Sequence, residues 1–104
     1  MSLFGFLRKK DSIEEVLDRN PILLDVRTEG EFSTGNVKGS INIPLHKLAT
    51  QIEGLQRKGR PVVAFCRSGM RSAQAKSILT QYGIECHNGG SWDNVERVWE
   101  KVRE

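Results

Sequence analysis

Short apolar runs alternate along the chain with segments whose apolar residues recur every three or four positions. Residues 21–26 and 62–65 are nearly all apolar, which predicts central parallel strands covered on both faces. Residues 41–43 and 84–87 predict two shorter strands. Helical spacing predicts helices in four places: from Ser12 to the Asn20-Pro21 stop, over 45–55, from the region of Ala73 to Tyr82, and after Ser91. This alternation predicts an α/β domain with a mainly parallel sheet of four to five strands and helices on both faces.

Capping signals and glycines refine these boundaries. A Ser or Thr followed three residues later by Glu is the spacing of a capping box, and it occurs at residues 12–15 and 28–31. The second box predicts a short helical turn from Thr28 to residue 33. Residues 88–90, Asn-Gly-Gly, are typical of a turn, after which Ser91 would cap the last helix.

Composition and charge exclude several classes of function. The chain has 104 residues, 38% of them hydrophobic and 28% charged, which is typical of one soluble globular domain. Its formal net charge is +3, but no run of five like charges occurs and no basic stretch is interleaved with aromatic residues. We therefore expect no nucleic-acid partner.

The first ten residues differ from the rest of the chain. Residues 3–7 are apolar and residues 8–10 are basic. A signal peptide carries its charges before a longer apolar run, and five residues are too few to cross a bilayer, so we expect no transmembrane segment. We predict a mobile or edge-packed N-terminal segment over 1–10, with a weak membrane-surface or partner contact as the alternative, and a folded domain over 11–104.

Cysteine and histidine usage indicates the compartment and argues against a metal. Two cysteines, Cys66 and Cys86, are too few for a disulfide scaffold, so a reducing, cytoplasmic location is expected. The two histidines, His46 and His87, do not form a zinc-ligand spacing with the two cysteines, so we expect no metal.

The strongest chemical signal follows the strand predicted at residues 62–65. Cys66 ends this apolar run, a polar loop comes next, and a helix starts just after the loop. The helix would direct its unpaired N–H groups and positive dipole end toward the sulfur, which favours the thiolate and binds anions. We infer a nucleophilic cysteine acting on an anionic substrate. Cys86 lacks these features, and we predict a buried strand residue, with a resolving or resting-disulfide role as the alternative.

Three separate segments should meet at the carboxyl edge of the sheet: Asp25 to Arg27, Cys66 to Arg71, and Gly89-Gly90. We predict that Asp25 and Arg27 form a structural ion pair or cap and do not act as acid and base. Arg27 and Glu31 stand at helical spacing, which predicts that they brace the turn beside the site.

Motifs over most of the chain from Ser12 onward resemble those of the rhodanese, or thiosulfate sulfurtransferase, family, and most closely its small single-domain members. They are, in order, Leu24-Asp25-Val26-Arg27 with Glu31-Phe32, Gly39-Ser40-Ile41-Asn42-Ile43-Pro44, Cys66-Arg67-Ser68-Gly69-Met70-Arg71-Ser72, and Gly89-Gly90 before an aromatic residue. The resemblance implies a three-layer rhodanese-like domain. One departure is Asn36, which lies where many members have histidine, and we expect altered local contacts there without loss of catalysis.

The resemblance also implies a reaction without metal or organic cofactor. Cys66 would take a sulfane sulfur from thiosulfate or a similar small anionic donor as a persulfide, and pass it to cyanide, a thiol or a protein acceptor. The backbone amides of the loop would hold persulfide and substrate. Arg67 would face substrate, and Arg71 would either face substrate or anchor the loop. The implied substrate-binding residues are Arg67, Ser68, Gly69, Met70, Arg71 and Ser72, and the supporting residues are Asp25, Arg27 and Glu31.

Three alternatives remain open from the sequence. Cysteine-dependent phosphatases and the related arsenate reductases hold their oxyanion with a C-x5-R loop, whereas Cys66 and Arg71 enclose four residues, which suits sulfur better. A non-turnover sulfur carrier or persulfide-binding interaction module would use the same cysteine, and so would a redox-sensing thiol.

Overall fold

The computed structural model describes residues 12–104, so the segment predicted over residues 1–10 lies outside the described residues. Strands and helices alternate along this part of the chain. In order they are α1 (Ile13–Leu17), β1 (Ile22–Asp25), α2 (Glu29–Ser33), β2 (Ile41–Asn42), a 3₁₀ helix (Leu45–Gln51), α3 (Ile52–Lys58), β3 (Val62–Cys66), α4 (Met70–Gln81), β4 (Cys86–Ser91) and α5 (Trp92–Arg103). The longest of these helices has 12 residues, and no helix among residues 12–104 could span a membrane.

The four strands form one parallel sheet in the order β2-β1-β3-β4. The predicted α/β architecture with a parallel sheet of four to five strands is confirmed, with four strands among residues 12–104. Asp25 at the end of β1 pairs with Phe65 of β3, and Phe65 in turn pairs with Gly90 of β4. The carboxyl ends of the strands therefore lie along one edge of the sheet.

Helices cover both faces of the sheet, as predicted. Alternate residues of β3 point to opposite faces. Val62, Ala64 and Cys66 join the core under the 3₁₀ helix, α3 and α4, whereas Val63 and Phe65 join the core under α1 and α5. All five residues have no exposed surface. Their burial, worth roughly 1.5–3 kcal/mol for each large apolar side chain, fixes where the strand ends and hence where the Cys66 side chain lies.

Both predicted capping boxes are present. The Ser12 hydroxyl accepts from the Glu15 amide at the start of α1, and the Thr28 hydroxyl accepts from the Glu31 amide at the start of α2. Each glutamate carboxylate accepts the cap residue's N–H in return. Because α2 buries no residue, this local bonding is a main reason that the short helix forms beside the sheet edge.

The helix predicted over residues 45–55 is wrong in type and in length. Residues Leu45–Gln51 form a 3₁₀ helix, and the α-helix that follows ends at Lys58. Leu45 and Leu48 are three residues apart, which matches the 3₁₀ period of three residues per turn.

The turn predicted over residues 88–90 is also wrong, because these residues belong to β4, which begins at Cys86 and not at Ile84. Asn88 pairs with Ala64, and Gly90 pairs with the next residue of β3, so Gly89 is one extra residue in a bulge. A Cβ on Gly89 would lie 2.6 Å from Val95 Cγ2 and 2.9 Å from a Val63 methyl. Glycine is needed there for close packing between strand and helix.

Candidate active site

The predicted nucleophile lies at the junction of β3 and α4. Cys66 is the last residue of β3, and α4 begins four residues later at Met70. Gly69 makes the sharp turn with a φ of +98°, a left-handed conformation that favours glycine. Its N–H donates to the Cys66 sulfur at 3.1 Å. A Cβ on Gly69 would lie 3.3 Å from the Gly90 Cα, so glycine also lets the loop approach β4.

Hydrogen bonds around Cys66 favour the thiolate. The side chain has no exposed surface, and burial by itself raises the pKa of this thiol. The Ser72 hydroxyl, 3.5 Å from Sγ, and the backbone amides of Ser72, Gly69 and Ser68 act in the opposite direction. Together they outweigh burial and lower the Cys66 pKa below its ordinary value. Cys66 therefore has the environment of a nucleophilic cysteine.

Asn88 of β4 holds this loop, although the sequence reasoning missed it. Its Oδ1 lies 2.7 Å from the Ser72 hydroxyl and accepts the Gly90 N–H at 3.0 Å. Its Nδ2 donates to the Gly69 carbonyl at 3.0 Å. Asn88 thus contacts two of the residues that hydrogen-bond to the Cys66 sulfur. Its position directly before the glycine pair is the signal in the sequence, but Asn-Gly-Gly is equally typical of a turn.

Arg71 anchors the loop. Its guanidinium forms two hydrogen bonds with the Glu31 carboxylate, at 2.8 and 3.1 Å. This pair, together with the Thr28 amide, lowers the Glu31 pKa to about 2. Arg27 and Glu31 do not pair with each other, although their spacing is helical: Glu31 pairs with Arg71 across 40 residues, and Arg27 pairs with Asp25.

Asp25 and Arg27 form the predicted structural ion pair. Both are buried, and the Arg27 Nη2 lies 2.8 Å from Asp25 Oδ2. The same guanidinium donates to the Gly35 carbonyl at 2.6 Å and stacks over the Trp92 ring, 4.6 Å from its centroid. Asn42 donates to the backbone carbonyls of Asp25 and Arg27, both at 3.0 Å. This cluster fixes the end of β1 beside the site.

The residues of the loop from Arg67 to Ser72 differ in exposure. Arg67 and Ser68 are exposed, and Met70 is 73% exposed. Ser72 is buried, and Gly69 and Arg71 are half-buried. The structure therefore divides the predicted substrate-binding residues into an outward group, which is exposed to solvent, and an inward group, which holds the sulfur or anchors the loop.

Cys86 is the buried strand residue that the sequence predicts. It is 5% exposed, and burial raises its pKa to about 12. Cys86 pairs with Val62, four residues before Cys66 on β3, and four strand residues span roughly 13 Å. A disulfide needs Cα atoms within about 7 Å, so the alternative of a resolving thiol for Cys66 is wrong within one folded chain.

Among the described residues, neither histidine forms a hydrogen bond with the Cys66 sulfur. His87 Nε2 lies 2.7 Å from the Glu85 carboxylate, and His46 lies in the 3₁₀ helix. Within residues 12–104, no group of three or more His, Cys, Asp and Glu side chains is placed to hold a metal ion.

Comparison with known proteins gives this site a family. A model of the rhodanese-like domain matches residues 9–96. A sulfurtransferase of Allochromatium vinosum is 37% identical over 62 residues, which are 60% of this chain and 57% of that protein. The chain thus spans little more than half the length of that relative. The thiosulfate sulfurtransferase PspE of Escherichia coli is 36% identical over 74 residues, covering 69% of this chain and 71% of that protein.

Other relatives carry different names, and solved structures agree on the fold. A tRNA uridine(34) hydroxylase of Oceanobacillus iheyensis is 26% identical over 85 residues, covering 77% of this chain and 26% of that protein. A structure of an E. coli rhodanese with anions is 32% identical with a TM-score of 0.65, covering 71% of this chain and 89% of that one. With the family model matched over most of its length, this chain belongs to the rhodanese-like domain family.

Proposed function

We propose that the protein is a sulfurtransferase that moves a sulfane sulfur from thiosulfate or a similar anionic donor to a thiol or cyanide through a Cys66 persulfide. One observation carries the proposal: the N–H of Gly69, at the start of α4, donates to the Cys66 sulfur at 3.1 Å. That contact belongs to a set of donors that lowers the Cys66 pKa despite complete burial. The names of the relatives support sulfur transfer as the reaction class.

The first half-reaction forms the persulfide. The Cys66 thiolate attacks the outer sulfur of thiosulfate, and a new S–S bond forms as the S–S bond of thiosulfate breaks. Sulfite leaves with the bonding electron pair. The amides of Gly69 and Ser68, which already point at the sulfur, would then stabilise the negative charge of the terminal persulfide sulfur.

The second half-reaction returns the enzyme to its starting state. The electron pair of cyanide or of an acceptor thiolate bonds to the outer sulfur, and the Cys66 thiolate leaves. The hydrogen bonds that lower the Cys66 pKa also make its thiolate a better leaving group. The same donors therefore serve both halves of the cycle, and the chemistry needs no metal or organic cofactor.

The two arginines of the loop have different roles in this proposal. Arg67, directly after Cys66, is exposed and would attract and orient the anionic donor. Arg71 acts through Glu31, since its guanidinium is used in that bidentate pair. A phosphatase or arsenate reductase would direct that arginine at the oxyanion. The pairing of Arg71 with Glu31 and the loop of only four residues between Cys66 and Arg71 both argue against that function.

Mass spectrometry after thiosulfate treatment tests the proposal. We expect a gain of about 32 Da, one sulfur atom, on the peptide containing Cys66 and its rapid loss when cyanide is added. Cys66→Ser should abolish both the adduct and thiocyanate formation, whereas Cys86→Ala should retain them. Wild-type sulfur transfer by Cys66→Ser would contradict the proposal.

The exposure of Arg67 and Met70 beside the buried thiol also supports a second candidate, a carrier that exchanges sulfur with partner proteins. For a carrier, the adduct would form only with a persulfidated partner protein and not with thiosulfate. A redox-sensing thiol would instead show reversible oxidation of Cys66 at low peroxide without an adduct of sulfur. The donor that forms the adduct distinguishes the sulfurtransferase from the carrier, and the absence of a sulfur adduct distinguishes the redox sensor from both. The chemistry requires reduced Cys66, which supports a reducing compartment such as the cytoplasm.

A further inference from the structure

The hydroxyl of Ser72 stands between two acceptors. Its oxygen lies 3.5 Å from the Cys66 sulfur on one side and 2.7 Å from Asn88 Oδ1 on the other. A serine hydroxyl has one hydrogen to donate. When Cys66 is a thiolate, both neighbours need that hydrogen, and only one of them can receive it.

Two backbone contacts fix which end of the Asn88 amide faces Ser72. The Gly90 N–H donates to Oδ1 at 3.0 Å, and the Gly69 carbonyl accepts from Nδ2, also at 3.0 Å. Reversing the amide would place a donor against the N–H and an acceptor against the carbonyl, losing both bonds. Oδ1, which has no hydrogen, therefore faces the Ser72 hydroxyl and can only accept from it.

We propose that Asn88 is a positioning residue that controls the Cys66 thiolate through Ser72, because its Oδ1 competes with the Cys66 sulfur for the single hydroxyl hydrogen of Ser72. When Cys66 is a thiol, the S–H donates to Ser72 and the Ser72 hydroxyl donates to Asn88. When Cys66 is a thiolate, the hydroxyl turns to the sulfur, and the Asn88 oxygen keeps only the Gly90 N–H. The role in catalysis rests on the proposed function, but the competition itself does not.

In a sulfur-transfer cycle, the charge on Cys66 Sγ decides which of its two partners the Ser72 hydroxyl donates to. Once Cys66 carries the outer sulfur, the negative charge lies on that terminal atom and no longer on Sγ. The Ser72 hydroxyl then returns to Asn88, and the loop amides hold the terminal sulfur. Departure of the outer sulfur restores the thiolate, and the hydroxyl turns back. Asn88 thus supplies the hydroxyl with a second partner for the states in which Sγ is uncharged.

Asn88 also has an opposing effect through its other amide atom. Nδ2 holds the Gly69 carbonyl, and the Gly69 N–H bonds to the sulfur, so this contact stabilises the thiolate. A single Asn88 substitution therefore removes two contributions of opposite sign. The two are separated by measuring the Asn88 effect with and without the Ser72 hydroxyl.

The experiment is a double-mutant cycle on the Cys66 pKa, with Asn88→Ala, Ser72→Ala and the double variant. The pKa is read from the pH dependence of iodoacetamide alkylation of the Cys66 peptide, without any sulfur donor. We compare the change in the Cys66 pKa that Asn88→Ala causes with Ser72 present and the change that it causes in the Ser72→Ala background. The first should be more negative than the second by about half a unit or more. An equal effect in both backgrounds, or a relative rise, would overturn the proposal.

The surrounding charges are the same in all four proteins of the cycle. At this end of the sheet they are, by element, Asp25 at the end of β1 and Arg27 just after it, Glu29 and Glu31 of α2, His46 and Lys47 of the 3₁₀ helix, Arg67 of the loop, Arg71 of α4 and Asp93 of α5. Asn94→Ala is the matched control, because the Asn94 amide also donates to this segment, at the Gly89 carbonyl, without contacting Ser72. It should leave the Cys66 pKa unchanged.

A second substitution keeps the test valid if Asn88→Ala does not fold. Asn88→Asp retains the shape of the side chain, and its charged carboxylate accepts the Ser72 hydrogen more strongly than an amide does. It should raise the Cys66 pKa, and by more with Ser72 present than in the Ser72→Ala background. Equal rises would contradict the competition. Failure to form a persulfide with the competition intact would instead contradict the proposed function alone.

Discussion

Cys66 and Cys86 are both buried, yet their thiols meet different surroundings. Cys66 receives the Ser72 hydroxyl and several backbone amides, which lower its pKa. Cys86 lies in the core under α4, where burial raises its pKa to about 12. Because the thiolate is the reacting species, donors at the sulfur and not exposure of the residue decide which cysteine is nucleophilic.

We predict that iodoacetamide at pH 8 modifies Cys66 of the native protein and leaves Cys86 unmodified. With a pKa of about 12, only about one Cys86 side chain in ten thousand is a thiolate at this pH. Peptide mass spectrometry checks both sites, and unfolding in denaturant is the control, since it should make Cys86 reactive. Native labelling of Cys86 at the rate of Cys66 would contradict the assignment.

The charge of the Glu31 carboxylate contributes to the free energy of unfolding in a pH-dependent way. Pairing with Arg71 lowers the Glu31 pKa to about 2, below the value of about 4.3 for an unfolded chain. A carboxyl whose folded pKa is lowered stabilises the fold above its unfolded pKa, and it loses this contribution as the pH falls through the folded value. Its contribution is therefore complete above about pH 5 and declines toward pH 2.

We predict that Glu31→Gln lowers the free energy of unfolding at pH 7 by about 1 kcal/mol, the value for a partly screened bidentate pair. The difference from wild type should shrink as the pH falls from about 5 toward 2. Denaturant unfolding at several pH values checks this. Glu53→Gln is the matched control, because Glu53 pairs with Arg57 on an exposed face of α3, and it should change little. A pH-independent difference would contradict the linkage.

The loop before α4 requires glycine at position 69 for two reasons. Gly69 combines a φ of +98° with a site for Cβ only 3.3 Å from the Gly90 backbone. Gly39 has a similar φ of +88°, but a Cβ there would meet nothing within 4 Å. Substitution of Gly39 therefore tests backbone strain alone, whereas substitution of Gly69 tests strain together with the close approach of the loop to β4.

We predict that Gly39→Ala destabilises the fold by about 1–2 kcal/mol through strain alone and retains sulfur transfer. Gly69→Ala should destabilise it further and reduce sulfur transfer at least tenfold, because the loop must move away from Gly90 and carry its amide from the sulfur. Thermal unfolding and thiocyanate formation measure the two effects. Equal activity in both variants would show that the Gly69 amide is not needed at Cys66.

Local patterns predicted most elements and misjudged those that tertiary packing decides. The capping boxes and the apolar run into Cys66 act within a few residues, so the sequence shows them directly. The Asn-Gly-Gly segment has the composition of a turn, but Gly89 is there for close packing against Val63 and Val95, residues distant in sequence. Likewise, the spacing of Leu45 and Leu48 is compatible with both an α-helix and a 3₁₀ helix.

At the scale of the whole molecule, the meeting of three segments at one sheet edge could be predicted, because parallel strands end on the same side. The partners across that edge could not. Glu31 stands at helical spacing from Arg27, yet it pairs with Arg71. Asn88 reaches Ser72 and Gly69 only through the register of β4. Such pairings depend on the distance between elements, which the sequence of each element does not contain.

Arg27 contacts several elements at this edge of the sheet. Its buried guanidinium pairs with Asp25 at the end of β1, donates to the Gly35 carbonyl beyond α2, and stacks on Trp92 of α5. One side chain thus connects three parts of the chain that frame the candidate site. Lysine would keep the charge but lose the planar fork and the stacking, so it is not an equivalent residue here.

We predict that Arg27→Lys lowers the free energy of unfolding by about 2 kcal/mol, because at least one charged hydrogen bond is lost beside a buried carboxylate. Arg103→Lys is the matched control: Arg103 also lies over a tryptophan, Trp99, but its side chain is 41% exposed, so its replacement should change stability little. Denaturant unfolding measures both variants. Equal stability of the two would mean that the buried pair adds little, and that the apolar cores alone hold the strand ends together.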